Sequence, residues 1–63
     1  MEIKYHKSEF YEQDTWTVTV ITKQGNKYQA ISPFEPTEEE FNELRKILKV
    51  DKNYLKRNFN HIN

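Results

Sequence analysis

The stretch from Thr15 to Thr22 restricts the fold of this chain most, because every residue in it is β-branched or aromatic. Such residues favour the extended conformation, in which side chains point alternately to opposite faces. Trp16, Val18 and Val20 alternate with threonines, so the stretch predicts a strand with an apolar face and a threonine face.

A hairpin is predicted directly after this strand. Gly25 is the one glycine of the chain, and Gly25-Asn26 suits a two-residue turn because glycine accepts a positive φ angle. A two-residue loop here places Val20 opposite Ile31 on the partner strand Lys27–Ser32. Ile31 then lies on the Trp16 face, where the apolar core is expected.

The segment before this hairpin also reads as a strand. Ile3 and Tyr5 alternate with polar residues, and the strand is predicted over residues 2–12 with a bulge near Ser8-Glu9. Its pairing with Thr15–Lys23 gives a three-stranded antiparallel meander.

The second half of the chain predicts helices. Pro33 and Pro36 end the sheet, and Thr37 and Glu40 form a capping box. A helix is expected over residues 38–49, with an apolar stripe that covers the Trp16 face and contains Phe41, Leu44, Ile47 and Leu48.

A second, shorter helix is expected after Asp51, which can cap it, with a stripe of Leu55, Phe59 and Ile62. The predicted fold class is therefore α+β, with residues 1–63 as one small domain. A three-stranded antiparallel meander is packed by one amphipathic helix plus a short C-terminal helix.

Length and cysteine content exclude several classes of protein. The chain has 63 residues and no cysteine, so disulfide frameworks and thiolate zinc sites are excluded. No metal or other cofactor is expected. The core must be aromatic and aliphatic, and Trp16 with four Phe and four Tyr supplies its mass.

Composition also bears on location. No stretch approaches the roughly 20 apolar residues that span a bilayer, and the start of the chain does not resemble a signal peptide. Residue types with AT-rich codons make up 28 of 63 positions. We therefore expect a cytoplasmic protein with no membrane partner, in the cell of a low-GC bacterium or of a bacterial host infected by a phage.

The sequence does not indicate an enzyme, and no catalytic residue is assigned. Ser8 and Ser32 lack a glycine-framed nucleophile elbow, and His6 and His61 lack ligand-like spacing. A small ribonuclease using His61 near Arg57 and Tyr54 is an alternative, but RNA cleavage needs a basic cleft and the chain is neutral.

Charge is neutral in sum but not in arrangement. Residues 1–43 hold nine acids and four bases, whereas residues 44–63 hold six bases and one acid. The candidate partner-binding residues come from these two blocks: Glu35, Glu38, Glu39, Glu43, Arg45, Lys49, Lys52, Lys56 and Arg57. A structural role is the alternative, because acids at a helix start and bases at its end complement the helix dipole, and Glu43 and Lys46 form an i,i+3 pair.

The basic block resembles a bacterial helix-turn-helix over residues 44–57. Leu44, Leu48, Val50, Leu55 and Arg57 match that motif, while Arg45 and Lys49 depart from its small residue and its turn glycine. The resemblance implies a small DNA-binding transcriptional regulator that uses residues 44–59. Its major-groove contacts would be Lys52, Asn53, Lys56 and Arg57.

A second pattern resembles the AP2-like arm-binding domain of phage integrases. The matching residues are Trp16, Gly25, Phe34, Thr37 and Glu38. Those domains contact DNA through a basic sheet, whereas lysines and acids balance in this sheet. The resemblance therefore implies the fold and not the DNA contact.

The main functional hypothesis is a non-catalytic binding protein that blocks or modulates a macromolecular partner. We expect this partner to be another protein. Glu35, Glu38, Glu39, Glu40 and Glu43 form an acidic run that can imitate a phosphate backbone. Small size, one domain and the lack of motifs resemble phage or mobile-element inhibitors of host nucleic-acid-processing or defence proteins, including anti-CRISPR proteins. DNA binding through the basic C-terminal segment is the alternative.

The sheet offers a further surface, and the chain is expected to be a monomer or a homodimer. The face opposite the helices is expected to carry Thr17, Thr19, Ile21, Tyr28 and Ala30. This face, or the exposed edge of Lys27–Ser32, could accept a partner or a second copy.

Overall fold

The computed structural model describes residues 1–9 and 14–62. Within them lie a four-stranded antiparallel sheet in the order β1-β2-β3-β4 and two helices. The elements in chain order are β1 (Glu2–Lys7), β2 (Trp16–Ile21), β3 (Lys27–Ser32), α1 (Glu38–Val50), α2 (Tyr54–Asn58) and β4 (Asn60–Ile62). The α+β class and the meander of the first three strands are confirmed, and the fourth strand is an addition.

The first strand pairs with the second as predicted, with Ile3 opposite Val20 and Lys7 opposite Trp16. It is shorter than expected, because β1 ends at Lys7. The backbone N–H of Ser8 still donates to the Thr15 carbonyl at 2.9 Å. The rest of the predicted strand, residues 10–12, lies outside the described residues.

The predicted two-residue turn between β2 and β3 is wrong. The loop contains five residues, 22–26, and Gly25 has the positive φ of 87° that only glycine adopts at no cost. Thr22 closes it, because its N–H donates to the Asn26 carbonyl and its own carbonyl accepts from the Gly25 N–H, both at 2.9 Å. These bonds favour the longer loop over the tight turn.

The longer loop shifts the register by three residues. Val20 lies opposite Tyr28, and Ile31 lies opposite Thr17. Because three is odd, every side chain of β3 changes face relative to the prediction. Tyr28 is buried beneath the helices, and Ile31 remains 46% exposed on the other face.

The main helix matches its prediction within one residue. Thr37 is the N-cap, and its hydroxyl accepts the backbone N–H of Glu40 at 3.3 Å. Phe41 is buried, and Leu44 and Leu48 pack against the core cluster, which comprises Val20, Tyr28 and Leu55. The predicted cover of the Val20 face by α1 is therefore confirmed, whereas Ile31, which was predicted on that face, does not lie there.

Residues 51–62 differ most from expectation. The short helix α2 begins at Tyr54 with Asn53 as N-cap, and Asp51 instead ends α1 by donating its N–H to the Ile47 carbonyl. Phe59 is already extended, and β4 pairs with β3, placing Ile62 opposite Lys27. The predicted helical stripe is wrong at Ile62, because pairing with β3 satisfies backbone groups that a longer helix would have left at an open sheet edge.

The face of the sheet opposite the helices, called the outer face below, differs in its members from the prediction. Tyr28 and Ala30 lie on the helix side, and Gln29 and Ile31 take their places. Thr17 and Thr19 are nevertheless buried on the outer face. The Ser8 and Thr17 hydroxyls lie 2.7 Å apart, and the Gln29 amide donates to the Thr19 hydroxyl at 3.2 Å.

The β3 edge, which was one of two surfaces considered for a partner or a second copy, is half occupied, because β4 pairs with residues 27–29. Neither helix in the described part of the chain has the length and apolar character needed to cross a bilayer.

Candidate partner-binding surfaces

A groove of about 460 Å³ lies beside the N-terminal half of α1 and reaches α2. Its apolar walls are Leu44, Ile47 and Tyr54, and its polar lining is Thr37 with three carboxylates. We call it the acidic groove. The carboxylates are Glu39, Glu40 and Glu43.

Helical spacing brings these side chains together. Glu39 and Glu43 are four residues apart, as are Glu40 and Leu44, so each pair lies on one side of the helix about 6 Å apart along its axis. The helix dipole stabilises Glu39 and Glu40 in the first turn. Glu43 lies beyond that turn, and it is held by an ion pair with Lys46 at 3.6 Å.

A second hollow of about 220 Å³ adjoins the acidic groove and shares Glu40, Leu44 and Tyr54 with it. Its further lining is mostly apolar and comes from the sheet, from the Pro-rich loop, from α1 and from the end of α2. Among the described residues, Glu40 is the carboxylate that lines both hollows. The added side chains on the helix side are Val18, Ala30, Ser32, Pro36, Phe41 and Phe59.

Two predicted acidic residues do not line the groove. Glu35 accepts a long hydrogen bond of 3.5 Å from the Tyr5 hydroxyl, which ties the Pro-rich loop to β1. Glu38 is exposed in the first turn of α1. The structure therefore brings together Glu39 and Glu43 of the predicted set, and adds Glu40.

A different hollow of about 430 Å³ lies where the C-terminal half of α1 meets the β2–β3 loop. Its charged lining is Lys23, Arg45 and Lys49, and we call it the cationic pocket. Thr22, Gln24, Leu48 and Met1 also line it, and none of its lining residues within 1–9 and 14–62 carries a carboxylate. Of the predicted basic residues, Arg45 and Lys49 lie here.

The other predicted basic residues lie around α2. Lys52 is in the connection before it, Lys56 is exposed on it, and Arg57 bonds the carboxylate of Asp51. That hydrogen bond with the Arg57 guanidinium, helped by the Asn53 N–H, holds the pKa of Asp51 below its ordinary value against partial burial. The helix that would read DNA has five residues.

The residues weighed for catalysis are scattered. His61 stacks on Tyr28 with ring centroids 4.8 Å apart, and His6 lies opposite Thr17 on the outer face. The Ser32 hydroxyl donates to the Phe34 carbonyl at 2.6 Å, which shapes the Pro-rich loop. Within residues 1–9 and 14–62, no group of three or more His, Asp and Glu side chains could hold a metal ion.

Sequence reasoning missed Lys23, Ile47 and Tyr54 as lining residues. The i,i+4 spacing of Arg45 and Lys49 signals a shared helix face. Nothing in the local sequence signals that Lys23 joins them, because that contact depends on how the β2–β3 loop packs against α1.

Comparisons of the chain with protein-family models, curated proteins and solved structures found no match.

Proposed function

We propose that this protein is a non-catalytic binding protein that blocks or modulates another protein, and that the acidic groove is its binding surface. The observation that carries the proposal is that three carboxylates line a groove that adjoins a mostly apolar hollow. A partner segment that fits has basic side chains for Glu39, Glu40 and Glu43 and an aliphatic or aromatic side chain for the hollow beside Leu44 and Tyr54.

The two parts of this surface have different physical roles. Apolar contact contributes about 25 cal/mol for each Å² removed from water, which supplies affinity. The carboxylates select cationic partners and speed their encounter. Arg and Lys line the grooves through which proteins hold nucleic acids. A nucleic-acid-processing or defence protein of a bacterial host therefore has the surface that this groove fits, and occupation of that surface would inhibit it.

The test compares two variants of equal charge. Glu39→Gln with Glu43→Gln removes two groove carboxylates, whereas Glu38→Gln with Glu2→Gln removes two that do not line it. Immobilised wild type, groove variant and control are exposed to lysate of a low-GC bacterium, and the captured protein is then purified for affinity measurement. We expect the groove variant to bind at least tenfold more weakly, since each lost charge contact is worth about 1 kcal/mol or more.

The control variant should bind its partner as the wild type does. Equal binding by all three proteins would reject the acidic groove as the surface, and stoichiometric capture of no protein would reject the proposal as a whole.

A DNA-binding regulator is the second candidate. The observation that favours it is the three-residue connection, 51–53, between α1 and α2, which is the length found in helix-turn-helix proteins. Binding of duplex DNA should then weaken steeply with salt, and Lys52→Glu with Lys56→Glu should abolish it. Absence of affinity at low salt would eliminate this candidate.

A further inference from the structure

The cationic pocket concentrates charge of one sign from two separate parts of the chain. Arg45 and Lys49 lie one turn apart on α1, and Lys23 reaches the same hollow from the β2–β3 loop. In the part of the chain that the structure describes, no carboxylate lines the hollow. Three positive charges therefore share one concave site on a chain whose net charge is zero.

The fold does not explain this arrangement. Like charges at i,i+4 weaken a helix, and the helix dipole favours a cation only in the last turn, which holds Lys49 and not Arg45. The Arg45 guanidinium donates to the neutral Asn42 side chain at 3.1 Å. By contrast, Lys7, Lys46 and Arg57 each form an ion pair with a carboxylate.

The wall that carries Lys23 is held in place by hydrogen bonds. The Asn26 N–H donates to the Thr22 hydroxyl at 3.2 Å, in addition to the two backbone bonds that close the loop. This loop also presents the Gln24 amide, a neutral hydrogen-bond donor, to the hollow. Lys23 thus lies within a loop that is closed by hydrogen bonds.

We propose that the cationic pocket binds the phosphate group of a nucleotide. Arg45 supplies a planar guanidinium that bonds two phosphate oxygens at once, and Lys23 and Lys49 supply point charges. Leu48 and Met1 give an apolar surface for the sugar or base. A volume of about 430 Å³ falls within the range of small-molecule sites. The phosphate can belong to a free nucleotide or to a nucleic-acid strand.

This site is separate from the acidic groove. The two share no lining residue, so the failure of either proposal leaves the other standing.

The experiment follows backbone amide shifts by NMR while four probes are added. The probes are inorganic phosphate, adenosine monophosphate, adenosine and a ten-nucleotide single strand. We expect the phosphate-bearing probes to shift residues 22–24, 45, 48 and 49, and adenosine alone to leave them unchanged. A strand that binds at least tenfold more tightly than the mononucleotide, with steep salt dependence, identifies nucleic acid as the source. Equal affinities identify a free nucleotide.

Two triple variants with the same change in charge provide the control. Lys23→Gln with Arg45→Gln and Lys49→Gln should lose at least tenfold in affinity, whereas Lys4→Gln with Lys7→Gln and Lys27→Gln, all exposed and outside the hollow, should change it less than threefold. The pocket variant should fold, because the substitutions remove repulsion, and circular dichroism checks this. Arg45→Lys alone keeps the charge and should still weaken phosphate binding severalfold.

No shift with any phosphate probe would overturn the proposal. Equal loss in the two triple variants would also overturn it, because general attraction between charges would then explain the binding.

Discussion

Side chains on the two faces of the sheet are buried by different kinds of contact. On the helix side, Val20 has no exposed surface and packs with Tyr28 and Leu55 into the core. On the outer face, Thr17 and Thr19 are also buried, but their hydroxyls form hydrogen bonds with polar neighbours. Burial on the first side removes apolar area from water, whereas burial on the second exchanges hydrogen bonds with water for hydrogen bonds within the protein.

Burial alone therefore does not identify the contacts that stabilise the fold most. Apolar burial contributes about 25 cal/mol per Å², whereas a protein hydrogen bond contributes about 1 kcal/mol net. The helix face should therefore carry most of the free energy of unfolding. The outer face keeps Ile31 and Ile62 partly exposed at 46% and 37%.

The largest expected effect tests the register that assigns β3 side chains to the two faces. Tyr28→Ala should lower the free energy of unfolding by about 3 kcal/mol or more, because it empties a core position. Ile31→Ala should cost less than about 1 kcal/mol, because that side chain is half exposed. Urea denaturation followed by circular dichroism measures both. A larger loss of stability from Ile31→Ala than from Tyr28→Ala would instead support the two-residue turn and its register.

The next effect compares neighbouring residues of β2 that point to opposite faces. Val20→Ala should cost about 2 kcal/mol, from lost apolar burial and the cavity left behind. Thr19→Val removes the hydroxyl that accepts from Gln29 and should cost about 1 kcal/mol or less. A larger loss from Thr19→Val in the same urea assay would show that the polar face dominates.

A smaller effect concerns the cover on the helix face. Thr37→Ala removes the hydroxyl that caps α1 and should cost about 1 kcal/mol. Thr37→Ser keeps a hydroxyl at this position and should retain most of the stability. Thermal unfolding of the two variants measures the difference, and equal melting temperatures would show that this cap does not stabilise α1.

The smallest effect concerns the contact that fixes α2 to the end of α1. Because the bond to Arg57 lowers the pKa of Asp51 in the folded chain, this bond stabilises the fold fully at pH values above the ordinary aspartate pKa. The stabilisation by this bond is lost as the pH falls through the lowered pKa of Asp51. Arg57→Gln should return the Asp51 pKa toward its ordinary value, as measured by NMR titration of the carboxyl carbon. Lys56→Gln is the control and should leave it lowered, and an unchanged pKa in Arg57→Gln would contradict this assignment.

Local signals in the sequence located most of the elements but not the β2–β3 register or the pairing of β4. The β-branched run of β2, the cap at Thr37 and the apolar stripe of α1 each depend on residues close in the chain, and each was predicted correctly. The β2–β3 register depends on the choice between a two-residue and a five-residue loop around Gly25. That choice was decided by the bonds of Thr22 and by which large side chain of β3 could be buried.

For the candidate surfaces too, the sequence indicated some features and packing decided the others. The sequence separated acidic from basic residues, but it treated each block as one surface. Packing placed Glu39 and Glu43 beside Tyr54, left Glu38 outside, and joined Arg45 and Lys49 to Lys23. These groupings arise between elements distant in the chain, so spacing along one helix could not reveal them.

The amino-acid order by itself determined where the first three strands and α1 form, since propensity, capping and periodicity act over a few residues. Only the tertiary structure decided the fourth strand, the face on which Tyr28 lies and the membership of the two hollows beside α1. Those features depend on which distant segments compete successfully for the same backbone hydrogen bonds and the same apolar area.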